Sequence, residues 1–154
     1  MEQHEATAAG SVPEQVGLSF LTLAYTLREQ VDQYMLATAG LSLSRTKVLQ
    51  ALASCGALHQ AQLAASLGQA PRSVTQIVEG LERLGMVART GDPEDRRRKT
   101  VSITHAGRTV LRAAEEAGIH ALRQRFGRLE PQQLATLDTL LAHLDIALTG
   151  GKAG

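Results

Sequence analysis

The chain has 154 residues, 44% apolar and 20% charged, a composition that favours one globular unit over a disordered chain. Its net charge is only +1, and two Tyr, two Phe and no Trp leave few rings for stacking on unpaired bases or building an aromatic cage. A single cysteine, Cys55, excludes an internal disulfide framework and a multi-thiolate zinc site. No apolar run approaches the ~18 residues of a membrane span. Met1 to Gln15 lacks the basic and apolar segments of a signal peptide, so a cytoplasmic location is expected.

Residues 1–13 read as a flexible tail, with Gly10, Ser11 and Pro13 interrupting any period. A helix is expected over 14–39, where Phe20, Leu23, Leu27, Val31 and Tyr34 recur at steps of three and four. Leu18, Leu21 and Tyr25 add an adjoining stripe, so this helix needs two partners, one of which can be another subunit. Gly40 ends it. Ser42 or Ser44 caps a second helix to about Ala53 with Val48, Leu49 and Leu52 inward. A short helix over 60–67 carries Leu63, Ala64 and Leu67 and stops at Gly68. Pro71 suits the first turn of the next helix, which presents Val74, Ile77, Val78, Leu81 and Leu84 on one face before Gly85.

The period then changes from 3.6 to 2. Met86–Thr90 and Thr100–Ile103 read as two strands, joined by the charged stretch Gly91 to Lys99. Thr104 caps a helix over 105–126 ended by Gly127. Pro131 opens a last helix with the seam Leu134, Leu137, Leu141, Leu144 and Leu148, a pattern that asks for another helix. Residues 150–154 read as a second flexible tail.

Residues 60–84 therefore have the order of a helix-turn-helix, whose second helix enters the DNA major groove. Arg72, Ser73, Thr75, Gln76 and Glu79 fall opposite its apolar stripe. Arg can read guanine, Gln adenine, and Ser or Thr a phosphate or a base. An ordinary helical hairpin with a solvated face would look the same in isolation. The hairpin tip separates the two readings: Arg96, Arg97, Arg98 and Lys99 are four consecutive cations on a projection that can lie in a minor groove. From Arg72 to Arg112 nine Lys or Arg face five Asp or Glu, a local charge of +4, while the remainder carries −3. The near-neutral total conceals a basic middle between acidic ends.

Residues 85–107, Gly-Met-Val-Ala-Arg-Thr-Gly-Asp-Pro-Glu-Asp-Arg-Arg-Arg-Lys-Thr-Val-Ser-Ile-Thr-His-Ala-Gly, resemble the signature of the MarR family of winged-helix transcriptional regulators. That pattern runs Gly-Leu-Val-x-Arg, then Asp-Pro-x-Asp-Arg-Arg, then Leu-Thr-x-x-Gly; Met86 and Ile103 replace its leucines. Leu63-Ala64, Val74-Thr75 and Leu81-Glu82-Arg83-Leu84 fit as well, and the resemblance covers about residues 15–148. It implies a mostly α fold with a small antiparallel β-hairpin: six helices and one wing. The winged helix-turn-helix lobe would span 42–104, within a single chain 14–149, with 14–40 and 105–149 as dimerisation helices. It implies that Arg72 to Gln76 contact bases and phosphates, that Arg97 enters the minor groove braced by Asp95, and that Arg96 and Arg98 lie beside phosphates. It implies a homodimer on a pseudo-palindromic duplex, commonly a repressor released by a phenolic or other lipophilic effector held between the dimerisation helices and the DNA-binding lobe.

Other classes fit less well. There is no Gly-rich phosphate loop, HExxH or Gly-x-Ser-x-Gly, and Glu115-Glu116 point apart on a helix as solvated charges, so no enzyme is expected. His4, His59, His105, His120 and His143 show no i, i+4 pair, so neither a metal nor another cofactor is expected. Peroxide-sensing members of the family carry a Cys in the first helix, whereas Cys55 follows the second and reads as a small core hydrophobe. Urate-responsive members carry a Trp that is missing here. Tyr34 and Arg45 are open between an effector pocket, core and surface. The competing non-enzyme reading is a winged helix used only as a protein-interaction scaffold.

Overall fold

The computed structural model describes residues 12–150; of the tails expected over 1–13 and 150–154, residues 1–11, His4 among them, and 151–154 lie outside the described residues, whereas Pro13 opens the first helix instead of ending a tail. The elements are α1 (Pro13–Ala39), α2 (Leu43–Cys55), β1 (Leu58–His59), α3 (Gln60–Leu67), α4 (Pro71–Arg83), β2 (Val87–Gly91), β3 (Lys99–Ile103), α5 (His105–Phe126) and α6 (Pro131–Thr149). This is the mostly α architecture that the periodicities predict, with six helices among the described residues. No helix among them is long and apolar enough to cross a membrane.

Local chemistry sets the helix ends. Ser42, rather than Ser44, caps α2: its Oγ accepts from the Arg45 N–H at 3.2 Å. Asp32 of α1 accepts from the Leu43 N–H at 2.7 Å, which ties the start of α2 to α1. Gly68, at φ +60°, reverses the chain after α3; its N–H donates to the Ala65 carbonyl and that of Gln69 to the Ala64 carbonyl, closing a Schellman turn. The left-handed backbone there is why glycine stands between the two helices. Thr104 Oγ1 accepts from the Gly107 N–H at 3.0 Å and donates to the Gly85 carbonyl at 2.6 Å, so one hydroxyl caps α5 and docks it on the turn after α4.

The sheet holds one strand more than the hairpin read from the sequence. β2 and β3 pair antiparallel from Val87↔Ile103 to Gly91↔Lys99, and β1 adds Leu58↔Val101 and His59↔Thr100 on the other side of β3. Two residues are too few to show a period of 2, which is why β1 escapes sequence reading. β2 also starts at Val87 rather than Met86, because the Met86 N–H donates to the Leu81 carbonyl to close α4.

One continuous core runs through the molecule. Val48, Leu49 and Leu52 of α2, Leu63 of α3, Val74, Val78 and Leu81 of α4 and Val87 and Val101 of the sheet are buried together. The same cluster continues into Val31 and Met35 of α1 and Leu111, Ala114, Ala117 and Ala121 of α5. Small residues let α5 approach α1 closely; a Cβ on Gly118 would sit 3.4 Å from Met35 Sδ. Each large side chain so buried contributes about 1.5–3 kcal/mol.

Five burial expectations differ within the single chain. Phe20 and Leu23, read as part of a buried stripe, are exposed; the buried residues of α1, Val31 and Met35, lie in its C-terminal half. The leucine seam of α6 is likewise uncovered, with Leu134, Leu141, Leu144 and Leu148 exposed and only Leu137 half-buried. Leu84 is exposed because α4 ends at Arg83, which takes position 84 off the helical stripe. Cys55, read as a core hydrophobe, is exposed at the last position of α2, beyond the layer that Leu52 closes. Glu115 differs from its neighbour too: Glu116 is solvated as expected, whereas Glu115 is half-buried.

Candidate nucleic-acid interface

Pro71 stands at the start of α4, leaving the first-turn N–H groups of that helix without internal acceptors. Its inward face, Val74, Val78 and Leu81, is locked in the core, so the opposite face is held rigidly outward. Arg72, Ser73 and Gln76 are exposed on that face. Thr75 differs: it is half-buried, and its hydroxyl donates to the Pro71 carbonyl at 2.9 Å and accepts from Gln60 Nε2 at 2.7 Å. The geometry gives it a second task, tying α3 to α4.

The wing is joined to this helix by a side chain whose role the sequence does not disclose. Arg89 of β2 forms a charge-assisted hydrogen bond with Glu82 of α4. The tip beyond β2 and β3 is ordered by short-range bonds. Asp92 accepts the Glu94 N–H at 2.9 Å on Oδ1, and its own N–H donates to the Arg98 carbonyl at 3.0 Å. Asp95 Oδ1 accepts the Arg97 N–H at 3.0 Å and Oδ2 lies 3.8 Å from Arg98 Nε. Asp95 thus holds the backbone of Arg97 and the side chain of Arg98, which leaves the Arg97 guanidinium free to project. Arg96, Arg97, Arg98 and Lys99 are all exposed.

His59 completes the junction. From β1 it places Nδ1 3.4 Å from Thr100 Oγ1 and Nε2 4.0 Å from Asp92 Oδ2, so it sets the start of α3 beside β3 and the first residue of the wing tip. A cleft of about 240 Å³ lined by Gln60, Gln62, Arg97, Arg98 and Lys99 opens beside it. The helix pair and the wing therefore form one rigid, basic edge.

Tyr34 and Arg45 do not share a cavity. Tyr34 stacks on His120 of α5 with ring centroids 5.6 Å apart, and the Arg45 guanidinium lies over Gly80 of α4, 2.9 Å from where a Cβ would stand. Between α1, α2 and α5 a separate cavity of about 350 Å³ is lined by Val31, Met35, Leu43, Ile119 and Leu122, with Lys47 and Gln50 on its polar side. Among the described residues no three His, Cys, Asp or Glu converge as a metal site.

The family model described as MarR family matches residues 39–98, the span from the end of α1 to the wing tip. An HTH-type transcriptional regulator of Mycobacterium leprae is 31% identical over 102 residues, which are 66% of this chain and 68% of that one. The chain belongs to the MarR family. The fold agrees: a MarR family transcriptional regulator from Streptomyces coelicolor, solved in complex with DNA, superposes with a TM-score of 0.73 at 27% identity, covering 88% of this chain and 86% of that one. The Bordetella bronchiseptica regulator BpsR, whose DNA binding is regulated by 6-hydroxynicotinic acid, superposes with a TM-score of 0.70 at 25% identity over 85% of this chain and 98% of that one. This MarR-family chain is therefore a winged-helix transcriptional regulator and not an enzyme.

Proposed function

We propose that two copies of the chain bind a pseudo-palindromic duplex as a repressor, each placing α4 in the major groove and the wing in the adjacent minor groove. In this reading residues 42–104 are the DNA-binding lobe, and 14–40 with 105–149 form the dimer. Arg72 and Gln76 read base edges, Ser73 and the first turn of α4 take a phosphate, and Thr75 sets the helix register. Arg97 enters the minor groove, Asp95 presents it, and Arg96 and Arg98 flank the phosphates. The observation that carries the proposal is the union of an outward polar helix with a four-cation tip through Glu82–Arg89 and the antiparallel pairing of β2 with β3.

Dimerisation is supported by apolar surface that the chain leaves bare on two elements: Leu18 at 65%, Leu21 at 65%, Leu23 at 68%, Ile146 at 65% and Leu148 at 78% exposed. Contiguous apolar surface of this kind marks an interface. The cavity among α1, α2 and α5 is where a small, largely apolar effector, a phenol or aromatic acid, would sit between the two functions and release the DNA. The ligand control of the B. bronchiseptica relative supports that reading.

Capture of genomic fragments by the purified protein, followed by sequencing, tests the function. Recovery of a shared inverted repeat is expected. Unselected recovery would contradict sequence-specific regulation and leave the scaffold reading standing.

A further inference from the structure

The effector cavity does not stop at its polar side. Glu115, the half-buried acid of α5, lines it and also lines a second cleft of about 380 Å³ that opens along the same helix. Glu115 Oε1 accepts from Gln50 Nε2 of α2 at 3.1 Å, and this bond spans the boundary between the two spaces. On one side lie Met35, Ile119 and Leu122; on the other lie His105, Arg108 and Arg112. These three basic residues recur at steps of three and four along α5 and so share a face. None of them makes an ion pair among the described residues. The interface between α2 and α5 thus carries two adjoining clefts that meet at this hydrogen bond, the first mostly apolar with Lys47 and Gln50 on its polar side, the second lined by His105, Arg108 and Arg112.

We infer that the two clefts together take an amphipathic organic phosphate: a hydrocarbon chain or ring seated against Met35 and Ile119, with a phosphate or diphosphate held by Arg108, Arg112 and His105. The proposal rests on the effector reading above and extends it. Along α5, the middle of the apolar end at Gly118 and the middle of the basic end at Arg108 are about 15 Å apart at 1.5 Å per residue, the reach of a terpenoid or acyl chain with its phosphate. A plain aromatic acid would fill only the first half. DNA phosphates are a poorer match for the cations, because α5 begins at the base of the wing. The five residues of β3 separate it from the tip by about 16 Å.

Two guanidiniums and an imidazole suit a multiply charged anion, and Arg binds phosphate through paired N–H donors. Glu115 opposes the anion at the crossing. The ligand must displace its bond to Gln50, and that displacement would shift α2, the first helix of the DNA-binding lobe, against the dimerisation helix α5.

The test uses the full-length protein and three probes, geranyl diphosphate, geraniol and inorganic diphosphate, with binding followed by calorimetry. Joining the two halves should bind the diphosphate ester at least about tenfold more tightly than either half alone. The double variant Arg108→Ala/Arg112→Ala should reduce the ester to the affinity of geraniol while leaving ligand-free DNA binding unchanged. Glu115→Gln should tighten the ester and leave geraniol unaltered. If geraniol binds and the ester gains nothing over it, the joint site is overturned while the effector cavity stands. If neither geraniol, the ester nor a series of phenols and aromatic acids binds, the effector reading itself is overturned. An ester that binds tightly but is indifferent to both variants would place the ligand elsewhere and refute the assignment.

Discussion

Gly107 shows how a family signature can be a packing requirement rather than a functional one. A Cβ at this position would stand 2.1 Å from the Met86 carbonyl oxygen, the atom that accepts the Thr104 N–H at 3.0 Å. Gly107→Ala must separate α5 from the turn after α4, at a cost of about 1–3 kcal/mol or more. Urea unfolding should show that loss; an unchanged midpoint and slope would mean that the junction yields freely. Gln76 has the opposite character. It is exposed and makes no hydrogen bond through its side chain among the described residues, so Gln76→Ala should leave stability alone. It should relax base preference by about 1–3 kcal/mol at one position. In-vitro selection returning the wild-type site pattern would remove Gln76 from the reading surface.

At the scale of elements, the wing acts as a lever whose tip is charged and whose base is tied down. Replacing Arg96, Arg97 and Arg98 together by alanine should weaken DNA binding. It should also flatten the dependence of affinity on salt by about one unit for each phosphate that the variant no longer neutralises. The six helices and the hairpin are legible in the residues because each has its own signal: a 3.6 or 2 period, a Ser or Thr cap, a terminating Gly or an opening Pro. What escapes is long-range. β1 exists only because Leu58 and His59 meet Val101 and Thr100 some forty residues away, and Arg89 finds Glu82 only once the chain has turned. The exposed face of α4 and the basic tip could be named from spacing and charge. The double engagement of Thr75 and the Asp95–Arg98 pair depend on where the backbone places neighbouring atoms.

The whole molecule carries its charge unevenly: +4 over residues 72–112, of which +2 lies on α4 and the wing that would face DNA and +2 on Arg108 and Arg112 of α5, and −3 over the rest. A net charge of +1 therefore describes neither part. The apolar stripes of α1 and α6 tell a similar story, since a periodicity shows that a face must be covered without saying by what. In this chain alone both remain open, and Leu141→Asp on α6 should dissociate the dimer, as light scattering would show. A variant that stays dimeric would remove the seam from the interface. On the proposed reading, the separation of surfaces would let one small domain both sense and bind: the proposed effector cavity touches α2 and α5, and α2 packs on α4.

The central question is whether the rigid union of α4 and wing grips duplex DNA. Fluorescence anisotropy of the wild-type protein and the Arg96/Arg97/Arg98 triple alanine variant, on one captured fragment across a salt series, tests this most directly. Strong salt-dependent binding is expected of the wild type, and a weaker, flatter response of the variant. Equal affinity and equal slope for the two would contradict the DNA-binding role of the wing.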